Sequence, residues 1–234
     1  MSATQIPLRL NPQELYRITN FHFSQQELAD VVDSFCKETL PRFLYLWGDG
    51  SSGKTHLSLA IIDKAQANQK KALYLPLAEL VKTASPEVLQ SLENLDLVCL
   101  DELEAMANNK QWQEGLFHCF NRLQDSGCQL LVTSRHNPAT LEIQLADLRS
   151  RLATGLVYQL ESLDDNAKEQ VMIMQAKARG LDMPSDVAQY LLRHHSRDLI
   201  ELVHFLHVLD KASLAAKRRL TIPFVRQVLH YGQN

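Results

Sequence analysis

Between residues 48 and 55 the chain reads Gly48-Asp49-Gly50-Ser51-Ser52-Gly53-Lys54-Thr55, a G-x-x-x-x-G-K-T loop. The apolar, aromatic run Phe43-Leu44-Tyr45-Leu46-Trp47 precedes it, and His56-Leu57-Ser58-Leu59-Ala60-Ile61-Ile62 follows with the pattern of a helix. Strand, glycine-rich turn and helix in that order are what phosphate binding needs, and they commit the chain to an α/β sheet. Glycines at 48, 50 and 53 allow left-handed backbone angles and bring N–H groups close to phosphate oxygens. The helix N-terminus adds partial positive charge at the same spot. Lys54 can then reach the β/γ-phosphates and the Thr55 hydroxyl can hold Mg²⁺, with His56 next in the helix. A Gly/Ser-rich surface turn could match the letters, but both flanking elements and the Lys-Thr pair favour a nucleoside tri- or diphosphate site.

Further apolar runs at 72–75, 97–100, 129–133 and 156–159 alternate with helical patterns at 54–68, 85–93, 110–126 and 144–151. Short apolar strands alternating with helices predict a parallel sheet covered on both faces. From about residue 162 the pattern is helical only: Asp164 or Asp165 can cap a helix ending at Gly180, and Ser185 can start the next. A long helical segment at 197–217 follows, then a last helix capped by Thr221. The division expected is a flexible lead-in at 1–12, an α/β nucleotide-binding domain at 13–161 and a helical lid at 162–234. No apolar run nears the roughly 20 residues that span a bilayer. The N-terminus lacks the basic and apolar regions of a signal peptide. A net charge of −3 is not that of a dedicated nucleic-acid binder. Cys36, Cys99, Cys119 and Cys128 have no C-x-x-C spacing and read as reduced thiols. His204 and His207 share a helix face without an acidic or thiol partner, so surface or packing roles are expected rather than zinc.

Leu97-Val98-Cys99-Leu100-Asp101-Glu102 is an apolar strand ending in two acids. Phosphoryl transfer uses one carboxylate at a strand end to hold Mg²⁺ through water, here Asp101, and a second group to orient the attacking water, here Glu102. Glu104 is a spare acid, read as an exposed helix-start residue. The fourth strand ends Val132-Thr133-Ser134-Arg135, and Thr133 or Ser134 can lie near the γ-phosphate or cap the next turn. Arg151, just ahead of the fifth strand, is placed either to reach a neighbouring subunit's nucleotide as an arginine finger or to pair with Asp147 on a surface helix.

Taken together, the Gly-Lys-Thr-His-Leu, Asp-Glu, Thr-Ser and Ser-Arg-Leu segments with the closing Leu220-Thr221-Ile222-Pro223-Phe224-Val225 resemble the DnaA/Hda family of AAA+ ATPases over roughly residues 15–231. The resemblance implies an AAA+ P-loop fold: a five-stranded parallel sheet with a C-terminal all-helical lid. It implies ATP or ADP with Mg²⁺ held through Thr55 and Asp101, Ile18 and Phe21 packing on the adenine side, and Arg151 as the finger. The chain carries neither DnaA's long N-terminal region nor its C-terminal helix-turn-helix domain, the arrangement of the family's regulatory members. In these a short peptide binds the sliding clamp, and Gln5, Leu8 and Leu10 within Gln5-Ile6-Pro7-Leu8-Arg9-Leu10 match it.

The function implied is negative control of replication initiation: bound to the DNA-loaded clamp, the chain promotes hydrolysis of ATP on DnaA. DNA is met only through the clamp, with no membrane, in the cytoplasm near the nucleoid. The alternative is a helicase-loader-like ATPase that hydrolyses its own ATP. Two departures from the family pattern bear on the nucleotide state. Arg135 stands where the group has Asp, and the lid arginine expected in the third lid helix aligns with Ile200, with Arg197 one turn earlier. ADP is therefore an expected occupant, self-hydrolysis stays open because Lys54 and Glu102 are present, and so does a homo-oligomer.

Overall fold

The computed structural model of the chain describes residues 16–231, apart from 38, 40, 197, 217 and 218. The five expected strands form: β1 (Phe43–Trp47), β2 (Ala72–Pro76), β3 (Leu97–Asp101), β4 (Gln129–Ser134) and β5 (Leu156–Gln159). They pair in parallel in the order β2-β3-β4-β1-β5. β3 and β4 are buried along their whole length, which is why they read as unbroken apolar runs. Alternate residues feed opposite faces. Leu44, Leu46, Cys99 and Leu131 pack under α1 (Gln26–Cys36) and α2 (Lys54–Ala67), while Tyr45, Val98, Leu100 and Val132 meet the helices of the other face.

α1 was not foreseen. It shows Leu28, Val32 and Phe35 to the sheet at helical spacing, each of them worth about 1.5–3 kcal/mol when fully buried. A second unforeseen helix, α3 (Leu77–Thr83), directly follows β2. The helix expected at 85–93 is instead two 3-10 turns, Pro86–Leu89 and Leu92–Asn94. Ser91 between them is left-handed, with φ 62°. Tertiary contacts override the helical pattern there: Arg122 donates to the Leu89 carbonyl (2.9 Å) and to Glu93 (3.2 Å), which draws Leu89 and Leu92 into the core.

α4 (Lys110–Ser126) begins where the Asn109 side chain accepts from the Trp112 N–H and ends at left-handed Gly127. α5 (Ala146–Leu152) leads into edge strand β5. The C-terminal helices α6 (Asp165–Ala178), α7 (Ser185–His194), α8 (Leu199–Ala216) and α9 (Ile222–Tyr231) enclose a separate apolar cluster built on Met172, Leu191, Leu206 and Val225. Asp164 caps α6, and Thr221 caps α9 by accepting from the Phe224 N–H. Among the described residues, no helix is long and apolar enough to cross a membrane.

Candidate functional site

The 48–55 loop joins β1 to α2. Gly48, at φ +156°, lies where a Cβ would meet the Leu160 carbonyl oxygen at 2.2 Å, so the strand's exit and the approach to the helical part pass too closely for any side chain. Gly53 is left-handed at φ +88°, and a Cβ there would touch the Phe21 ring at 3.0 Å. Gly50 has neither a left-handed φ nor a neighbour within 4 Å. The sequence reading asked all three glycines for left-handed angles, and here two supply them.

Lys54, only 6% exposed, donates through Nζ to the carbonyls of Gly48 (2.7 Å) and Asp49 (2.6 Å) and to Ser52 Oγ (3.2 Å). Burial lowers its pKa, opposed by the nearby charges of Glu104 and Asp101. One residue on, Thr55 Oγ1 donates to Asp101 Oδ2 at 2.8 Å, so strand order brings the hydroxyl of the loop that follows β1 to the acid of β3, across the intervening β4. Asp101 is 1% exposed and accepts two more hydroxyls, from Thr133 on β4 and from Tyr74 on β2 at 2.5 Å. Thr133 also accepts the Glu102 N–H at 3.2 Å.

Glu102 sits left-handed at φ 61°, a conformation that costs a non-glycine residue about 1 kcal/mol or more and that gathers at functional sites. Burial, then the charges of Asp101 and Glu104, raise its pKa, an environment that favours a proton acceptor. Glu104, read from sequence as exposed, instead binds the end of β4. It accepts from Ser134 Oγ (3.0 Å) and the Arg135 N–H (3.1 Å) and pairs with the Arg135 guanidinium at 3.4 Å. The cation that departs from the family pattern thus has an acid opposite it.

A cavity of about 390 Å³ opens between residues 50–56 of the loop, the segment carrying Tyr16, Phe21 and His22, and the lid helices α6 and α8. That is within the range of small-molecule sites. Phe21 lines it, whereas Ile18 packs with Phe23 against the core under α2 and is not among its lining residues. Ser51 ties the loop to the lid by donating to Asp198 at 3.1 Å, and Ser162 donates to Asp49 at 3.0 Å.

The lid supplies Gln175, Arg179, His204 and His207 to the cavity wall. The sequence reading left the first two unassigned and gave the histidines surface or packing roles. Arg179 Nη1 donates to the Gln175 carbonyl (2.6 Å) and side chain (3.0 Å), and Gln175 donates to the Asn20 carbonyl at 3.2 Å. Arg179 Nε and Nη2 and His56 Nε2 are buried without a partner among the described residues. The His56 ring lies near Tyr16 (5.3 Å) and Phe21 (5.7 Å), and burial lowers its pKa to about 4, against the opposing pull of a backbone hydrogen bond at Arg17.

These features fit a nucleotide: an N–H-rich loop for phosphates, an aromatic wall for a base, and buried polar atoms on the walls between. They fit Mg²⁺ as well, since Thr55 and Asp101 place hard oxygen donors 2.8 Å apart beside that loop. Arg151 lies elsewhere. It is exposed on α5, and its guanidinium donates to Gln124 (3.2 Å) rather than pairing with Asp147. Gln5, Leu8, Leu10 and Arg197 lie outside the described residues, and Ile200 falls in the first turn of α8.

Known proteins show the same plan. The family "Bacterial DnaA ATPase domain" matches residues 22–159, and "Hda, lid domain" matches 165–229. An uncharacterized protein of Haemophilus influenzae is 39% identical over 230 residues, covering 97% of this chain and 98% of that one. Domain III of the Thermotoga maritima replication initiation protein DnaA superposes with a TM-score of 0.75 at 23% identity, over 95% of this chain and 98% of that one. AMPPCP-bound DnaA from Aquifex aeolicus matches with a TM-score of 0.67 at 25% identity, over 88% of this chain and 67% of the other.

Proposed function

This chain belongs to the bacterial DnaA ATPase family of AAA+ proteins and carries a lid of the Hda type, and from that premise we propose that it is a negative regulator of replication initiation. Held at the DNA-loaded sliding clamp by Gln5, Leu8 and Leu10, it promotes hydrolysis of ATP on DnaA. Its own nucleotide, ATP or ADP, lies along the loop from Gly48 to Thr55. Lys54 exchanges its loop carbonyls for phosphate oxygens, which are stronger acceptors for an ammonium. Thr55 and Asp101 hold Mg²⁺, which when bound neutralises phosphate charge.

The observation that carries the reading is the place of Arg151. It stands exposed on α5 ahead of the edge strand, bonded to Gln124, and is not among the residues lining the chain's own cavity, which supports a guanidinium offered to a neighbour. A finger offered this way offsets charge that develops on a transferring phosphoryl group. The test is to incubate ATP-bound DnaA with DNA-loaded clamp and this protein, and to follow ADP formation. Arg151→Ala should lower the stimulation by about 10², less than the 10³–10⁵ of GTPase fingers. Arg149→Ala, exposed on the same helix, should keep it. Replacing Gln5, Leu8 and Leu10 by Ala should remove the dependence on the clamp. Full activity of Arg151→Ala, or equal failure of Arg149→Ala, overturns the finger assignment.

The placement of Glu102 favours a second reading, a loader-like ATPase acting on its own nucleotide. Rapid hydrolysis by the chain alone, abolished in Glu102→Gln and unaffected by DnaA, would select it.

A further inference from the structure

We propose that Tyr74 is a positioning residue for the metal-binding end of the site, its phenol holding the Asp101 carboxylate turned toward Thr55. The inference rests on the reading of Thr55 and Asp101 as the groups that hold Mg²⁺. Tyr74 belongs to none of the motifs. It stands on β2, paired with Cys99 in the strand register, two residues ahead of the Pro76–Asp101 pair. From there its hydroxyl reaches Asp101 Oδ2 at 2.5 Å, the same oxygen that Thr55 meets at 2.8 Å, while Thr133 takes Oδ1.

The rotation of an aspartate carboxylate about its last bond is soft, so its bonds set its direction. Of the three donors, Thr55 and Thr133 have second duties: one stands at the metal position and the other also accepts the Glu102 N–H. Tyr74 is held by packing against the core beneath α2, so its donor position does not depend on what the nucleotide does. A carboxylate offers about four acceptor directions. With three taken, the one left over suits a metal-bound water. Because Asp101 is 1% exposed, solvent cannot easily restore a bond that is lost.

Groups that orient metal-binding side chains are commonly worth 10–100-fold in metal affinity. For one of three donors we expect about the low end. The experiment titrates ADP and a non-hydrolysable ATP analogue calorimetrically into wild type, Tyr74→Phe, Asp101→Asn and Lys54→Ala, from EDTA to saturating Mg²⁺. Tyr74→Phe keeps the ring, and its melting temperature without ligand reports the fold. It should raise the half-effective Mg²⁺ concentration about tenfold while leaving Mg²⁺-free nucleotide affinity within about twofold of wild type. A merely structural role would weaken binding with and without Mg²⁺ alike, and that result overturns the proposal. So does a Tyr74→Phe titration that superimposes on wild type while Asp101→Asn loses its Mg²⁺ response. If Asp101→Asn also responds normally, the metal reading itself falls. Lys54→Ala, weak under all conditions, separates either failure from a failure of the nucleotide site.

Discussion

At the phosphate end of the cavity Lys54 donates to three acceptors and Asp101 accepts from three hydroxyls, whereas on the lid side Arg179 holds two buried nitrogens with no hydrogen-bond partner among the described residues. The first region is built on β2, β3 and β4, whose parallel register sets Tyr74, Asp101 and Thr133 side by side, and on the start of α2, which brings Lys54 and Thr55 to them. The second hangs on α6 and α8, which pack mainly on their own cluster and reach the rest of the chain through a few bonds such as Ser51 to Asp198 and Gln175 to Asn20. This contrast locates most of the affinity at the phosphate end. A buried array with most of its bonds already made is rigid before a ligand arrives, so its contacts are strong and specific. A wall of half-satisfied groups contributes mainly by closing over what the other end has already bound.

The largest effect should come from breaking the rigid end. Lys54→Ala removes a charge-assisted phosphate contact worth about 1.5–3 kcal/mol, a loss of roughly ten- to a hundredfold in nucleotide affinity by calorimetry. Unchanged affinity would mean that the loop is not the anchor.

His56, at the border between the two regions, gives the next effect. Its folded-state pKa, about 4, lies below the ordinary 6.5, so the fold binds it neutral while the unfolded chain takes up a proton. The stability it contributes is fully present above pH 6.5 and is lost as pH falls from there toward about 4, by at most about 1.4 kcal/mol per pH unit. Urea midpoints followed over that window should fall for wild type and flatten for His56→Phe, which keeps an aromatic ring beside Tyr16 and Phe21. Parallel slopes for the two proteins would show that another group titrates.

The smallest effect is expected from the lid. Arg179→Met keeps the stem and removes the donors, and ADP affinity should fall only a few-fold, the scale of one ordinary hydrogen bond. A loss as large as that of Lys54→Ala would erase the distinction between the two regions.

Much of this was legible in the order of residues along the chain. The loop, the acid pair at 101–102 and all five strands are local patterns, since turn geometry, strand burial and helix starts depend on neighbours within a few positions. The reading faltered where distant segments compete with local preference. Residues 85–93 have a helical pattern, yet Arg122 captures the Leu89 carbonyl and left-handed Ser91 splits the segment into two turns. α1 escaped notice although its Leu28, Val32 and Phe35 carry the amphipathic spacing that signals it. Glu104 looked like surface because its partners, Ser134 and Arg135, lie 30 and 31 residues further on.

The order of residues was enough to specify a phosphate-binding loop on a parallel sheet, because that motif is a matter of backbone conformation over eight residues. It also marked Asp101 and Glu102, since an apolar run that ends in two acids is itself a local pattern. Long-range packing settled that Tyr74 reaches Asp101, that Arg179, His204 and His207 line a cavity with the loop, and that Arg151 bonds to Gln124 outside that lining. Those choices follow from strand order and from the packing of the lid, and both are set by which apolar faces meet across long stretches of chain.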